Sequence, residues 1–323
     1  MTLGAMSGPT PSRVLVIKLA ALGDFVQAFG PFAAIRRHHP GATVTLLTTP
    51  PFVDLARAGG WFDDIWIDSR PKALNVGGWM ALRRRLRKGG FGRVYDLQTS
   101  DRSALYFRLF WPGPTPEWSG IARGCSHAHA NPRRDFMHTV ERQAEQLALS
   151  GLEDVPAGDL SWVEADAARF GISGPYALVA PGGAQHRPAK RWPAQRFANL
   201  AAWLAERGIK PVLVGGPEEA ALLGAVAVAC PAALNLAGRT SLLDIVALAR
   251  GAACAVGNDT GPMHLTAAAG CPSVVLYSHA SDPLLCAQRG PRVTIVRRPA
   301  LEDLPVEEVT AALGAAGVPG ASS

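Results

Sequence analysis

Residues 13–47, RVLVIKLAALGDFVQAFGPFAAIRRHHPGATVTLL, decide the fold. The run RVLVIKL (13–19) is short, apolar and β-branched, which predicts a buried strand followed by the loop AALGD. Beyond the loop, apolar residues recur at helical spacing and basic residues precede Pro40, as at a helix C-terminus, with a kink expected at Pro31. A second strand, ATVTLLTT, comes next. This order of strand, helix and strand predicts a parallel, doubly wound α/β sheet.

The same alternation continues outward from this segment in both halves of the chain. Residues 150–175 are rich in glycine, proline and acids and predict a linker, after which strand and helix patterns resume at YALVAPGG (176–183). We therefore predict two Rossmann-like domains, 1–160 and 161–323. The predicted elements of the first half are the helix FVDLARAG, the strand DDIWID, the helix MALRRRLRKG and the strand RVYDLQ. Those of the second half are the helices RFANLAAWLAERG, EEAALLGAVAVA, LLDIVALARG, PMHLTAAAG and LEDLPVEEVTAALGAAG, and the strands KPVLVGG, ALNLAG, ACAVGN and CPSVVLYS.

Composition narrows the class of protein. The chain has 323 residues, of which 48% are hydrophobic and 18% charged, a balance typical of a globular protein with a large core. Its net charge of +6 favours an acidic partner. Five cysteines without a C-x-x-C pair argue against a disulfide framework and predict a reduced, cytoplasmic chain. No apolar run is long enough to span a bilayer, so any membrane contact is expected to be peripheral.

The stretch GNDTGPMHL (257–265) places chemistry where a strand ends. Ligands of doubly wound sheets bind outside the carboxyl ends of the strands. Pro262 suits the first position of a helix whose free N–H groups attract phosphate. Thr260 can add a hydroxyl donor, and His264 lies early in the same helix. The simpler alternative is that Asp259 or Thr260 is only an N-cap and His264 a side chain at the edge of the core.

A second loop, APGGAQHRPAKRWP (180–193), follows the strand YALV. Gly182 and Gly183 allow close approach of a ligand to the backbone, and Lys190 is suited to a pyrophosphate. Gln185, His186, Arg187 and Arg191 add donors and charge to the same loop. The alternative is a solvated basic loop. The chain contains neither G-x-G-x-x-G nor G-x-x-x-x-G-K-[ST], which argues against a dinucleotide oxidoreductase and a P-loop phosphotransferase.

Two carboxylates complete the candidate set. Asp24, in AALGD, is by default the cap of the following helix. If the two halves face each other, Asp24 can instead act as the base of an inverting glycosyl transfer, opposite a departing phosphate. Glu218, in VGGPEEA, follows a strand end where a carboxylate can accept hydrogen bonds from ribose, although glutamates are favoured at helix N-termini in any case.

Taken together, these residues resemble glycosyltransferase family 9, the ADP-heptose:lipopolysaccharide heptosyltransferases and their relatives. The resemblance covers nearly the whole chain, in order. It implies a GT-B fold of two Rossmann-like domains facing across a cleft, an N-terminal domain that binds the acceptor and a C-terminal domain that binds the nucleotide sugar. It also implies a C-terminal helix that crosses back onto the first domain. The matching segments are 14–47, HTVERQAEQLALSGL, LVAPGGAQHRPAKRWP, VLVGGPEE, LAGRTSLLDIVALARGA and GNDTGPMHLTAAAGCPSVVLYSHASDP.

Carried over residue by residue, the resemblance assigns Asp24 as catalytic base. Lys190 corresponds to the lysine on the donor phosphates, and Glu218 to the acid that binds ribose. Gly182 and Gly183 belong to the donor loop. The family's D-[ST]-G-x-x-H motif around the sugar and diphosphate corresponds to Asp259, Thr260, Gly261 and His264. The chain departs from the family at SHASDP (278–283), where relatives often have G-P-T-D-P.

The acceptor side carries less signal. In WMALRRRLRKGG (79–90), Trp79, Leu82 and Leu86 form an apolar seam on a basic helix that includes Arg83 and Arg84. Such a helix can lie on anionic lipid or bind a phosphorylated glycolipid, and it can equally be a solvated face. Arg102 and Arg123 are further basic candidates for acceptor binding.

The hypothesis is a monomeric, metal-independent, inverting heptosyltransferase that needs no cofactor. It would use ADP-heptose to extend a lipopolysaccharide core or related glycolipid from the cytoplasmic side of the inner membrane, with peripheral contact. Two alternatives remain open at this point. One is a nucleotide-sugar epimerase of GT-B architecture, and the other is a non-enzymatic basic protein that binds anions or membranes. No aromatic-interleaved basic motif favours a nucleic-acid partner.

Overall fold

The computed structural model describes residues 11–184 and 186–318. The chain divides into two compact units. Unit 1 contains Met1–Ala20 and Ala28–Gly158, and unit 2 contains Ala21–Gln27 and Asp159–Ser323. The boundary at 158/159 lies inside the predicted linker. Residues 21–27, which we predicted within the N-terminal domain, cluster instead with unit 2.

Unit 1 contains a six-stranded parallel sheet in the order β3-β2-β1-β4-β5-β6. Val14, Leu15, Val16 and Ile17 of the first strand are fully buried, which explains the unbroken apolar run in the sequence. The strand order reverses between β1 and β4, the switch point beside which such sheets bind ligands. The strands are β1 (Arg13–Ile17), β2 (Thr43–Thr48), β3 (Asp64–Ile67), β4 (Arg93–Asp96), β5 (Glu117–Gly120) and β6 (His127–Ala128).

The first predicted helix is two helices. It begins at Leu22, three residues before the predicted start, and is interrupted at Gln27–Ala28. Pro31 is the third residue of the second helix, where a backbone N–H has no partner inside the helix, so the break lies upstream of the proline. The helices are α1 (Leu22–Val26), α2 (Phe29–His38), α3 (Val53–Ala58), α4 (Val76–Lys88), α5 (Asp101–Arg108) and α6 (Thr139–Ala148).

Helix α4 packs its apolar seam on the sheet of unit 1. Leu82 and Leu86 are buried with Val94 and Phe110 in one core cluster, against which Trp79 packs from the edge. The sequence pattern did not indicate α5, β5 or β6. The two strands are short, and EWSG carries little of the β-branched character that marks a strand.

Unit 2 repeats the topology with strand order β12-β11-β10-β7-β8-β9. Counted from β7, this is the same order as in unit 1, and the switch point lies between β7 and β10. The strands are β7 (Tyr176–Ala180), β8 (Lys210–Leu213), β9 (Leu234–Asn235), β10 (Cys254–Asn258), β11 (Ser273–Tyr277) and β12 (Val293–Arg297). The helices are α7 (Ala194–Glu206), α8 (Ala220–Ala229), α9 (Leu242–Gly251), α10 (Gly261–Ala268), α11 (Pro283–Cys286) and α12 (Val306–Ala315).

The last helix, α12, packs on α7, β11 and β12 of unit 2. Val309 and Leu313 are buried in the core cluster of that unit. These contacts are internal to unit 2, whereas the family resemblance implied a helix crossing back to the first domain. Among the described residues, none of the helices has both the length and the apolarity needed to span a membrane.

Candidate active site

A pocket of about 720 Å³ opens in unit 2, and all of its lining residues belong to that unit. Its volume falls within the range usual for small-molecule sites. It lies where β7, β8 and β10 end, at the switch point between β7 and β10. Eight of the nine predicted catalytic and donor-binding residues line it: Asp24, Gly183, Lys190, Glu218, Asp259, Thr260, Gly261 and His264.

Helix α1 reaches the pocket by packing closely on α10. A Cβ atom at Gly261 would lie 2.6 Å from the Leu22 side chain, and one at Gly23 would lie 2.6 Å from Nε2 of His264. Both glycines are therefore required by close approach of the two helices. Asp24 follows directly as the third residue of α1, and its Oδ2 accepts a hydrogen bond from the Ala21 N–H at 3.3 Å. The contact brings Asp24 to the same pocket as the N-terminus of α10.

Asp259, just after β10, is held by four donors. Its Oδ2 accepts hydrogen bonds from Lys190 Nζ at 2.7 Å and Ser281 Oγ at 2.6 Å. Its Oδ1 is 3.0 Å from the Tyr277 hydroxyl and 3.1 Å from Gln288 Nε2. His264 Nε2 lies 4.0 Å from the same oxygen. The carboxylate is thus fixed in position, and it fixes the ammonium group of Lys190 in turn.

The Asp259–Lys190 pair is buried, with side-chain exposures of 7% and 14%. Burial raises the pKa of Asp259, but the hydrogen bonds from Lys190 and Ser281 outweigh it and hold the pKa below its ordinary value. Burial also raises the pKa of Tyr277, and the neighbouring Asp259 charge adds to the effect. Tyr277 therefore remains a neutral hydroxyl. An ammonium group has three donors, so Lys190 retains N–H groups for a ligand beyond the one on Asp259.

Buried Asn258 holds the loop that follows β7. Its Nδ2 donates to the carbonyls of Pro181 and Gly182 at 2.9 and 3.0 Å, and its Oδ1 accepts from the Trp192 N–H at 3.0 Å. Arg191 donates to the carbonyl of Gly183. The glycine loop is therefore tied to the end of β10, which brings the two predicted donor loops together.

Glu219, which the sequence did not single out, links two glycine loops. Its Oε1 accepts from the Gly183 N–H at 2.7 Å, and its Oε2 accepts from the Gly216 N–H at 3.0 Å. A Cβ atom at Gly182 would lie 1.8 Å from Glu219 Oε1. Gly182 itself is buried and does not line the pocket. Contrary to our prediction, the structure therefore does not place it against a ligand, and the absence of a side chain at this position instead leaves space for the Glu219 carboxylate. A sequence signal for this contact exists, because an acid three residues after the N-cap, here Gly216, is typical of a side chain that accepts from the N-cap N–H.

Glu218 has the opposite environment from its neighbour. It is exposed at the pocket and has no ion-pair partner within the described ranges. Its carboxylate folds back over Gly216, where a Cβ atom would lie 2.4 Å from Oε1. Glu218 can therefore accept hydrogen bonds from a bound hydroxyl, whereas Glu219 already holds the loops.

Thr260 is the N-cap of α10, yet its side chain makes no capping hydrogen bond. Its Oγ1 is buried and has no hydrogen-bond partner among residues 11–184 and 186–318. A buried hydroxyl without a partner is costly unless something else satisfies it. Thr260 thus occupies the N-cap position, as the simpler alternative expected, but its hydroxyl does not cap the helix and is available to a ligand at the helix N-terminus.

Four further side chains belong to the site but were not assigned a role from the sequence: Tyr277, Ser281, Gln288 and Gln27. Gln27 lies three residues after Asp24, and its Nε2 donates to the carbonyls of Cys286 and Ala287 at 3.4 and 2.9 Å. It thereby ties α1 to the segment that carries Gln288. Ser281 lies in SHASDP, the segment where the chain departs from the family's G-P-T-D-P, whereas Gln288 has no local sequence signal.

The four predicted acceptor-binding arginines lie in unit 1 and are not part of this pocket. Arg83 and Arg84 are on α4, and Arg83 Nη2 donates to the Trp111 carbonyl at 3.2 Å. Arg102, on α5, donates twice to the Pro71 carbonyl at 3.3 Å and stacks on Trp79. Arg123 is exposed in the loop after β5.

Other predicted contributors are placed as follows. His186 and Arg187 line the pocket from its exposed rim, and Gln185 lies outside the described residues. Within the described part of the chain, no group of three or more His, Cys, Asp or Glu side chains is arranged to hold a metal ion. The five cysteines are free thiols.

Comparison with known proteins identifies the class. Residues 79–314 match the family described as glycosyltransferase family 9 (heptosyltransferase). Lipopolysaccharide heptosyltransferase 2 of Salmonella typhimurium is 28% identical over 297 residues, covering 83% of each chain. Lipopolysaccharide heptosyltransferase 1 of Pseudomonas aeruginosa is 26% identical over 288 residues, covering 82% of this chain and 78% of the relative. Among solved structures, Escherichia coli ADP-heptose lps heptosyltransferase II superposes with a TM-score of 0.79 at 22% identity, covering 94% of this chain and 98% of that one.

The fold, the pocket and these matches define a glycosyltransferase, an enzyme that transfers a sugar from an activated donor. The chain belongs to glycosyltransferase family 9. The predicted GT-B class with two Rossmann-like units is confirmed by the two six-stranded parallel sheets and the structural neighbours. The predicted enzyme class is confirmed as well, which removes the epimerase and the non-enzymatic alternatives. A UDP-GlcNAc 2-epimerase from Methanocaldococcus jannaschii superposes with a TM-score of 0.54 at 10% identity, a likeness of fold alone.

Proposed function

We propose that this enzyme transfers heptose from ADP-heptose to a lipopolysaccharide core or a related glycolipid, with inversion at the anomeric carbon. The similar proteins named above are lipopolysaccharide heptosyltransferases. One structural neighbour, E. coli heptosyltransferase WaaC, was solved with ADP and also with ADP-2-deoxy-2-fluoro heptose. These names support the donor and the acceptor class as a proposal for this chain.

The observation that carries the proposal is that Asp24 lines the same pocket as the donor-binding set from the loops after β7 and β10. An inverting transfer needs a base on one side of the sugar and a stabilised leaving group on the other. The carboxylate of Asp24 supplies the base. It takes the proton of the acceptor hydroxyl as that oxygen attacks the anomeric carbon and the bond to the diphosphate breaks.

The leaving diphosphate is stabilised by donors at the N-terminus of α10. Free backbone N–H groups and the positive end of the helix dipole favour an anion there. The Thr260 hydroxyl and the remaining N–H groups of Lys190 add to this set. Each preorganised donor of this kind is worth about a hundredfold in rate. With these groups in place, we propose transfer without a metal ion or other cofactor.

The remaining parts of the proposal concern the acceptor and the setting. Arg83 and Arg84 are proposed to bind glycolipid phosphates, whereas Arg102 is partly committed to the Pro71 carbonyl and Arg123 stands apart on its loop. The proposal includes a monomeric enzyme. Free cysteines are compatible with a cytoplasmic enzyme.

Donor choice can be tested by measuring the thermal unfolding midpoint with ADP, UDP, GDP and their sugar derivatives. At equal concentrations, a ligand that binds only the folded state raises the midpoint more the tighter it binds, because the stabilisation grows with the logarithm of its affinity. We expect the largest rise with ADP and ADP-heptose, and transfer to a lipopolysaccharide acceptor that is unaffected by a chelator. A larger response to UDP or GDP would overturn the ADP assignment, and loss of transfer with the chelator would overturn metal independence.

The adjacent glutamates give a sharper test of the nucleotide site. Replacing Glu218 with Ala is expected to weaken ADP binding about tenfold, because ribose loses an acceptor worth about 1.4 kcal/mol, with little change in stability. Replacing Glu219 with Ala should lower the free energy of unfolding by about 2 kcal/mol, because two backbone N–H groups lose their partner. Calorimetric ADP titration and urea unfolding measure the two effects. Unchanged ADP affinity in Glu218→Ala would refute the ribose assignment.

A further inference from the structure

The positive charge of the chain is concentrated in one segment. Residues 69–95 contain eight Lys and Arg residues and no Asp or Glu, while the whole chain has a net charge of +6. The rest of the chain is therefore net negative by two charges. Helix α4 and the loop 69–75 that precedes it make up most of this basic segment.

One side of α4 is exposed along its whole length. Residues four apart in a helix lie on the same side, and Val76, Met80, Arg84 and Lys88 are all exposed. The opposite side carries the buried Leu82 and Leu86. The exposed side is therefore apolar in its first half and basic in its second half. Exposed apolar side chains grouped in this way are typical of an interaction surface.

Other apolar side chains extend this exposed side. Leu74, just before α4, is 94% exposed, and Val76 is 71% exposed. Trp111 is 73% exposed, and Arg83 Nη2 holds its carbonyl at 3.2 Å, so the tryptophan lies beside α4. Arg87 Nη2 lies 2.8 Å from where a Cβ atom of Gly113 would be, which keeps the same turn against the helix. We call Leu74, Val76, Met80, Trp111, Arg84 and Lys88 the α4 surface.

From this arrangement we infer that the α4 surface docks on a bilayer containing anionic phospholipids. Apolar side chains and a tryptophan next to cations match the interfacial region of a membrane, where apolar groups enter the acyl boundary and cations contact lipid phosphates. Nucleic acid would match the cations but leave Leu74, Val76 and Met80 in water. The inference concerns unit 1 only and does not depend on the donor or the reaction. It shares Arg84 with the proposed acceptor site, so the test uses vesicles of phospholipid that contain no glycolipid.

The test is co-sedimentation of the full chain with lipid vesicles. Vesicles of phosphatidylcholine alone are compared with vesicles that also contain phosphatidylglycerol, each at low and at high salt. We expect binding that requires phosphatidylglycerol and weakens at least about tenfold at high salt, because the interaction of exposed charges is screened. Absence of phosphatidylglycerol-dependent binding overturns the inference.

Two paired variants separate the charge from the apolar contribution. Arg84→Glu with Lys88→Glu, and Val76→Ser with Met80→Ser, are each expected to weaken vesicle binding about tenfold or more. The charge control is Arg37→Glu with Arg57→Glu, which changes the net charge equally at exposed ion pairs on α2 and α3. The apolar control is Val228→Ser, at an exposed valine on α8.

Each outcome decides the matter, because all the substituted side chains are exposed and an unchanged thermal midpoint verifies folding. Both controls should bind vesicles like the wild type. If the charge control loses as much as Arg84→Glu with Lys88→Glu, the attraction reflects total charge and the α4 surface is wrong. If the serine variant binds normally, no apolar insertion occurs and the docking mode is equally wrong.

Discussion

Replacing Asp24 with Asn is expected to lower kcat for sugar transfer by about a hundredfold to ten-thousandfold, the range usual for loss of a general base. Binding of ADP should change less than about twofold, because Asp24 is assigned to the acceptor hydroxyl and not to the diphosphate. Asn has nearly the same volume and can still accept the Ala21 N–H, so the packing of α1 on α10 should persist. Steady-state kinetics and calorimetric ADP titration give the two values.

A control for charge at a helix N-terminus is Asp101→Asn. Asp101 is also an acid in the first turn of a helix, α5, but it lies in unit 1 and does not line the pocket. Its replacement should leave kcat unchanged. Transfer by Asp24→Asn at the wild-type rate would remove Asp24 as the base, and a parallel loss of ADP binding would mean that the residue shapes the donor site.

Replacing Lys190 with Met is expected to lower the free energy of unfolding by about 3 kcal/mol and to abolish detectable transfer. Removal of one member of a buried ion pair leaves the other charge buried without compensation. The variant also lacks the cation proposed to contact the diphosphate. Urea denaturation and the transfer assay measure the two effects, and the exposed pair Asp54–Arg57 supplies a control in Arg57→Met, which should change stability little.

The pH dependence of the Lys190→Met variant has a definite sign. In the wild type the pKa of Asp259 lies below its ordinary value of 3.8. The ion pair therefore stabilises the protein fully above pH 3.8, and this stabilisation is lost as the pH falls through the pKa of Asp259 in the folded state. In Lys190→Met the burial effect is left with weaker opposition, so the pKa of Asp259 rises. The deficit relative to wild type should therefore shrink as pH falls toward 3.8.

A double variant distinguishes the buried charge from a packing defect. Adding Asp259→Asn to Lys190→Met removes the uncompensated charge and should recover about 2 kcal/mol of stability, while transfer stays absent. If the double variant is as unstable as Lys190→Met alone, the loss comes from packing around the methionine. The claim that Asp259 and Lys190 act as a charge pair would then fail.

The architecture could be predicted from the sequence because the central strands are recognisable as short apolar runs. The buried runs of β1, β7, β10 and β11 are continuous and apolar, so their carboxyl ends could be located and the polar residues after them grouped. The sequence alone therefore selects Asp24, Lys190, Asp259 and Thr260 as candidate site residues, and the structure places all four at one pocket. Short strands such as β5 and β6 escaped because two to four residues cannot show a period.

What the sequence could not supply is which of two neighbours makes which contact. Glu218 and Glu219 are the same residue type at adjacent positions, so the sequence does not distinguish them. The structure does, because the Glu219 carboxylate lies against Gly182 and accepts from the Gly183 and Gly216 N–H groups. The same limit applies to Gln288, whose bond to Asp259 spans 29 positions of chain. The early start of α1 depends on its packing against α10, a long-range contact that local propensity does not encode.

The seven residues 21–27 are embedded in the first half of the chain yet cluster with the second. Cutting the gene at the linker would therefore divide the residues that line the candidate active site. A fragment starting at Asp159 would lack the carboxylate and the Gln27 anchor, and would leave Gly261 and His264 without their covering helix. Screens for small-molecule inhibitors should use the intact polypeptide, because residues 159–323 alone do not encode the whole cavity.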